Sequence, residues 1–300
     1  MRSSVLAEEA ISRGFECIFV GRISNLEWVS GRIANLGFSQ VIMDECSFKA
    51  NKELDVLVVD SYDISVSDLF IAKNHWKLVL SICDAFTPNY DSDIELRPGL
   101  VAAESVHDAP ILLSGPDYVL IRNGIGKSKR EKSVGDVLKL LILGGGSDPF
   151  GFVTAIAEVV GFMDLNLEVH IFTDRTITGN SNVNFVQHPI GFELDFIAND
   201  VDLVFTTAST SSLEFIAREI PTGVVCAVDN QEDYYVSLGR MGYAAQLGVR
   251  NSDSGWEFNS TIIKELLESQ EKRDSLKEAI RGVIDLKGAA RVIDVLESLG

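Results

Sequence analysis

The sequence predicts an α/β protein of two Rossmann-like, doubly wound domains. Short apolar runs alternate with amphipathic segments through both halves of the 300-residue chain, as in a parallel sheet covered by helices on both faces. Almost midway, the glycine loop Gly144-Gly145-Gly146-Ser147-Asp148-Pro149 separates the apolar run 138–143 from the apolar-periodic segment 152–160. A second strand–loop–helix recurs at 202–218. The length suits two cores of ordinary size.

The chain opens on an amphipathic helix with Val5, Leu6, Ala10 and Ile11 on one face, closed by Gly14. Strands are expected at 17–20, 41–43, 55–60 and 77–82, and helices at 26–36 and 66–74. Residues 85–136 are less regular, with short strands at 94–96 and 111–113. The polar, basic run 126–134 suits an exposed linker and divides an N-terminal domain (1–125) from a C-terminal one (137–300). The second half continues with strands at 138–143, 168–172, 183–186, 202–206, 222–227 and 244–247. Its helices are expected at 150–161, 192–199, 212–218 and 233–241, then as two charged helices at about 256–281 and 288–299.

Composition excludes several classes. At 46% hydrophobic and 23% charged the chain is globular rather than disordered. A net charge of −18, with no basic cluster beyond 127–132, argues against nucleic acid as a partner. The apolar runs are too short to span a membrane and no signal peptide is visible. Cys17, Cys46, Cys83 and Cys226 are scattered singly, which fits neither a zinc site nor a disulfide framework and predicts reduced thiols of a cytoplasmic protein. No metal or other cofactor is expected.

The candidate binding residues lie where strands run into helices. Gly145, Gly146, Ser147 and Asp148 stand where free N–H groups at a helix N-terminus take phosphate. Further on, Thr207-Ala208-Ser209-Thr210-Ser211-Ser212 are six small residues, five of them hydroxylated, followed by Glu214 in a first helical turn. Small residues let a ligand approach the backbone, and hydroxyls satisfy phosphate or sugar oxygens. Glu214 can take ribose hydroxyls; as a lone feature it is also a carboxylate favoured by the helix dipole. Asn230 and Gln231 follow the strand at 222–227, as two amides that can read a base or sugar, or as a turn with an N-cap.

Together these motifs resemble a nucleotide-sugar family. Gly-Gly-Gly-Ser-Asp-Pro (144–149), the small-residue loop with Glu214, Ile220-Pro221, Asn230-Gln231 and Gly242-Tyr243 are similar to the second half of the pseudaminic-acid-pathway UDP-sugar hydrolases (PseG) and the spore-coat SpsG proteins, relatives of MurG with the GT-B fold. In the first half, Asp60-Ser61-Tyr62 resembles the family's Asp-His-Tyr, and Asp84 the second of its paired aspartates. The stretch 115–122 resembles its Gly-Pro-x-Tyr-x-x-x-Arg, and 288–291 its Gly-Ala-x-Arg. The resemblance implies a UDP-sugar substrate, with Gly145, Gly146, Ser147 and Asp148, Ser209, Thr210, Ser211 and Ser212, and Glu214, Asn230 and Gln231 in contact with it. It implies supporting roles for Asp60, Tyr62 and Asp84. The expected reaction is that of a UDP-2,4-diacetamido-2,4,6-trideoxy-β-L-altropyranose hydrolase, with water attacking the anomeric carbon; a GT-B glycosyltransferase and a non-catalytic sugar-nucleotide binder are the alternatives.

The departures are specific. The family's first strand and its Gly-x-Gly-His-x-x-Arg loop, which bears the catalytic histidine, would precede Met1, so the first domain is expected to lack its first strand. A start codon placed late is the favoured explanation, a natural truncation with loss of catalysis the other. Ser61, Cys83 and Arg97 replace a family histidine, aspartate and asparagine. His75, His107, His170 and His188 occupy no family site and are expected at the surface or at strand ends.

Overall fold

The computed structural model describes residues 2–21, 31, 33, 35–42, 55–61, 73–84, 92–100, 111–126, 137–145, 148–173, 175, 177, 179–180, 182–189 and 194–299. The expected helix at 66–74 lies mostly outside these residues, as do most of that at 26–36, the linker, Cys46 and His107. Two compact units are present: Met1–Gly124 with Asp285–Gly300, and Ile125–Ile284.

In the first unit, helix α1 (Arg2–Ser12) precedes the parallel pair β1 (Ile18–Val20) and β2 (Gln40–Ile42). A four-stranded parallel sheet follows, in the order β3 (Val56–Val59), β4 (Leu78–Ile82), β5 (Ile94–Arg97), β6 (Ile111–Ser114). Gly14 ends α1 as expected, at φ +90° with its N–H on the Ile11 carbonyl. Val5 and Leu6 pack over Leu80, Ile82, Ile94 and Leu96.

The second unit holds one sheet of seven strands. Its first strand, β7 (Leu138–Leu143), is an interior one, between β10 and β8. Helix α2 (Phe152–Gly161), β8 (Leu167–Phe172) and β9 (Val183–His188) extend the sheet on one side. On the other side come α3 (Leu194–Ala198), β10 (Leu203–Thr207), α4 (Thr210–Ala217), β11 (Thr222–Cys226), α5 (Glu232–Arg240) and β12 (Ala245–Asn251). This is a doubly wound parallel order. The apolar run of β7 reflects burial on both faces: Leu138, Leu140 and Ile142 meet Phe152, Ile156 and Val160 of α2, while Leu141 meets Ile197, Phe215 and Ile220. Each such side chain contributes about 1.5–3 kcal/mol.

Two expectations are corrected. The charged helix expected over 256–281 is a strand and two helices: β13 (Gly255–Phe258) pairs antiparallel with β12, and α6 (Ser260–Glu268) and α7 (Gln270–Ile280) break at Ser269. Trp256 and Phe258 share a period-2 face and pack on Phe152, which draws the segment into the sheet. The buried Arg273 of α7 then donates to the Leu266 and Leu267 carbonyls at the end of α6.

The other correction is the end of the chain, placed with the C-terminal domain (137–300) from the sequence. Helix α8 (Gly288–Leu299) groups with the first unit: Val292, Ile293 and Leu296 join Val5, Leu6 and Leu120 in one core. Gly288 lies so close to the turn Pro116–Tyr118 and the residue after it that a Cβ would fall 2.2 Å from the Val119 carbonyl oxygen. A short amphipathic helix takes whichever apolar surface is in reach, and periodicity alone does not say which.

Candidate nucleotide-sugar site

The loops that follow β7 and β10 are neighbours because their strands pair, with Leu143 opposite Thr206. Gly145 sits at φ +82°, and a Cβ there would lie 4.0 Å from Thr207 Oγ1. The Cβ of any other residue at 144 would overlap the Asp148 side chain at 2.6 Å. Gly146, Ser147 and Tyr62 lie outside the described residues.

The two helix N-termini at this edge differ. Asp148 turns back at φ +42°, and its carboxylate accepts from Phe152 N (2.8 Å) and Val153 N (3.0 Å). Helix α2 thus carries its own anion. Burial raises the Asp148 pKa above the ordinary carboxylate value, and the two N–H groups oppose that rise. Helix α4 has no such cap: Ser209 is its N-cap residue and makes no side-chain capping bond. The Thr210 and Ser211 N–H groups have no partner among the described residues.

The hydroxyls divide likewise. Thr206 and Ser212 are fully buried; Thr206 donates to the Leu143 carbonyl and Ser212 to the Ser209 carbonyl, both at 2.7 Å. Ser209 Oγ and Thr207 Oγ1 are 2.9 Å apart, and Ser209, Thr210 and Ser211 are at least partly accessible. Glu214 is half-buried within α4. Asn230 is exposed in a tight turn, Asp229–Gln231, whereas Gln231 Oε1 accepts from Ala227 N at 3.0 Å.

In the first unit, Asp60 and Asp84 stand just beyond β3 and β4, and Arg2 bridges them, at 2.7 Å to Asp60 and by a second hydrogen bond to Asp84. Burial works against the Arg2 charge, and the two carboxylates more than offset it, raising its pKa. Arg2 has no role in the sequence reading; an arginine in a first helical turn runs against the helix dipole and is the one local signal. Cys83 is 3% exposed, and its thiol is pushed up to about 12, chiefly by burial and then by Glu95. It is therefore neither a base nor a charge at neutral pH. Cys226 is also a buried free thiol, and Cys17 a half-buried one.

His75 is exposed, as expected. His188 ends β9, as expected, whereas His170 lies within β8; their rings stack with centroids 5.3 Å apart, joined by a 3.0 Å hydrogen bond, and His170 Nε2 meets Glu168 at 3.0 Å. Burial, then the charge of His170, holds His188 below the ordinary histidine value. The unfolded chain therefore binds that proton more readily. Melting temperature should fall as pH drops from 7 towards 5.5, and His188→Phe should flatten that part of the profile; an unchanged slope would separate the pair from it.

Among the described residues no group of three or more His, Cys, Asp or Glu is placed to hold a metal ion, and no helix is long and apolar enough to cross a membrane. No known family profile matches the chain, and no curated protein sequence matches it. Solved structures do. MurG of Acinetobacter baumannii is 12% identical with a TM-score of 0.68, over 99% of this chain and 95% of that one. The spinosyn forosaminyltransferase SpnP is 11% identical with a TM-score of 0.68 (99% and 94% covered). UGT89C1 of Arabidopsis thaliana, solved with UDP-L-rhamnose, is 10% identical with a TM-score of 0.66 (99% and 95% covered). With two Rossmann-like units and these neighbours, the chain has the GT-B fold that MurG and these glycosyltransferases share.

Proposed function

We propose that the chain binds a UDP-sugar and acts at its anomeric carbon, with the diphosphate on the N-terminus of α4. The observation that carries this is the uncapped first turn of α4, lined by the hydroxyls of Ser209, Thr210 and Ser211 and adjoining Gly145. Its free N–H groups and helix dipole favour an anion. Asp148 already fills the equivalent place on α2, so Gly145 serves as close-approach backbone rather than as part of a second phosphate cradle. Glu214 and Asn230 take ribose or base. Gln231, bonded to Ala227, shapes the loop, and the buried Ser212 holds the turn. The named ligand of UGT89C1, UDP-L-rhamnose, agrees in class.

Hydrolysis of the pseudaminic-acid-pathway type is the first reading of the chemistry, on the motifs at 115–122, 144–149 and 288–291. Transfer to an acceptor is the second, favoured by glycosyltransferase neighbours with TM-scores of 0.66–0.68. Asp60 and Asp84, held by Arg2, position rather than transfer protons in either case. Calorimetry with UDP tests binding, and no heat at millimolar UDP would reject it. Incubating UDP-N-acetylhexosamines without acceptor then separates the chemistries. Free sugar with UDP supports the hydrolase, turnover only with added acceptor the transferase, and binding without turnover a non-catalytic binder.

A further inference from the structure

Helix α4 packs on β10 and β11, and α5 on β11 and β12, so right-handed connections set the two helices side by side on one face of the sheet. Tyr234 stands in the first turn of α5. Its hydroxyl oxygen is fully buried, has Ser212 of α4 beside it and completes no hydrogen bond among the described residues. Burial raises the phenol above the ordinary tyrosine pKa, so it is a proton donor at neutral pH. Ser212 Oγ gives its own proton to the Ser209 carbonyl at 2.7 Å and keeps its lone pairs for a donor. The Ser212 N–H meets the same carbonyl at 3.0 Å.

A buried donor left short of an acceptor is costly and calls for an explanation. The acceptor next to this one belongs to the turn that presents the Thr210 and Ser211 N–H groups. Neighbouring helices do not offer such a turn: Asp148 caps α2, and α5 opens on Glu232 and Asp233. We propose that Tyr234 is a positioning residue for the diphosphate. Once an anion sits on the Thr210 and Ser211 N–H groups, the first turn of α4 settles towards α5 and the Tyr234 O–H donates to Ser212 Oγ. The chain from Tyr234 through Ser212 to the Ser209 carbonyl then holds those N–H groups converged on the anion. The inference rests on the UDP-sugar reading and adds a residue that acts through Ser212 rather than by touching the ligand. Because the bond is unmade in the free protein, its energy enters binding rather than folding.

The test is Tyr234→Phe, which keeps the ring and removes the hydroxyl, read by a melt of the free protein and by calorimetry with UDP. The free variant should melt no lower than the parent, since it loses no bond and sheds an orphaned donor. Its UDP affinity should fall about five- to tenfold, the worth of about one hydrogen bond. In a Ser212→Ala background the same change should leave UDP affinity unaltered, because the acceptor is gone; if Ser212→Ala does not fold, the first two readings decide. Undiminished UDP affinity in Tyr234→Phe, a lowered melting temperature, or a loss that persists without the Ser212 hydroxyl overturns the inference while UDP binding by the parent stands. Failure of the parent to bind UDP removes the UDP-sugar reading and the inference together.

Discussion

Ser209→Asp should make the protein more stable and nearly abolish nucleotide binding. Ser209 is the N-cap residue of α4 and makes no capping bond of its own. An aspartate there reaches the vacant N–H groups, as Asp148 does on α2. The gain from a good cap and a favourable dipole is about 0.5–1 kcal/mol, a rise of about 1–4 °C in melting temperature. A carboxylate about 4 Å from a phosphate charge at an effective dielectric of about 20 repels it by about 4 kcal/mol. UDP affinity should therefore fall by two to three orders of magnitude, on the rule that about 1.4 kcal/mol is tenfold. A melt and a UDP titration on one sample read both signs. Tighter melting with undiminished UDP binding would place the diphosphate elsewhere.

Hydrogen exchange should divide the two units. The central strand β10 has neighbours on both sides, β7 and β11, and its five residues are all buried. Among the described residues β3 pairs with β4 alone, and three of its four residues, Val56, Leu57 and Val58, are only partly buried. Likewise β1 pairs only with β2 there. Alternate amides of β1 and β3 should then exchange about 10³-fold or more faster than those of β10, which open only with sub-global unfolding. In the second unit the first strand, β7, separates β8 from β10. Protection of both edges in the 300-residue chain would rule the open edges out.

Much of this protein was legible in its amino-acid order. The apolar run 138–143 could only be a strand buried on both faces, and it is one, with α2 against one side and Ile197, Phe215 and Ile220 against the other. Gly14 ended its helix as its freedom at positive φ requires. The alternation of strands and helices was enough for two doubly wound units, because period and punctuation are local properties of the chain. Three matters were settled only by tertiary structure. The segment 255–258 carries a period-2 pattern too short to read, and packing of Trp256 and Phe258 on Phe152 makes it a strand. Helix α8 has an apolar face that suits either unit, and the core around Val5 and Leu120 claims it. The two glycine- and serine-rich loops look equally fit for phosphate in sequence. Only in three dimensions does Asp148 turn back to cap α2 while α4 is left uncapped. Composition places a loop at a strand's end, but which N–H groups remain free depends on where each neighbouring side chain folds.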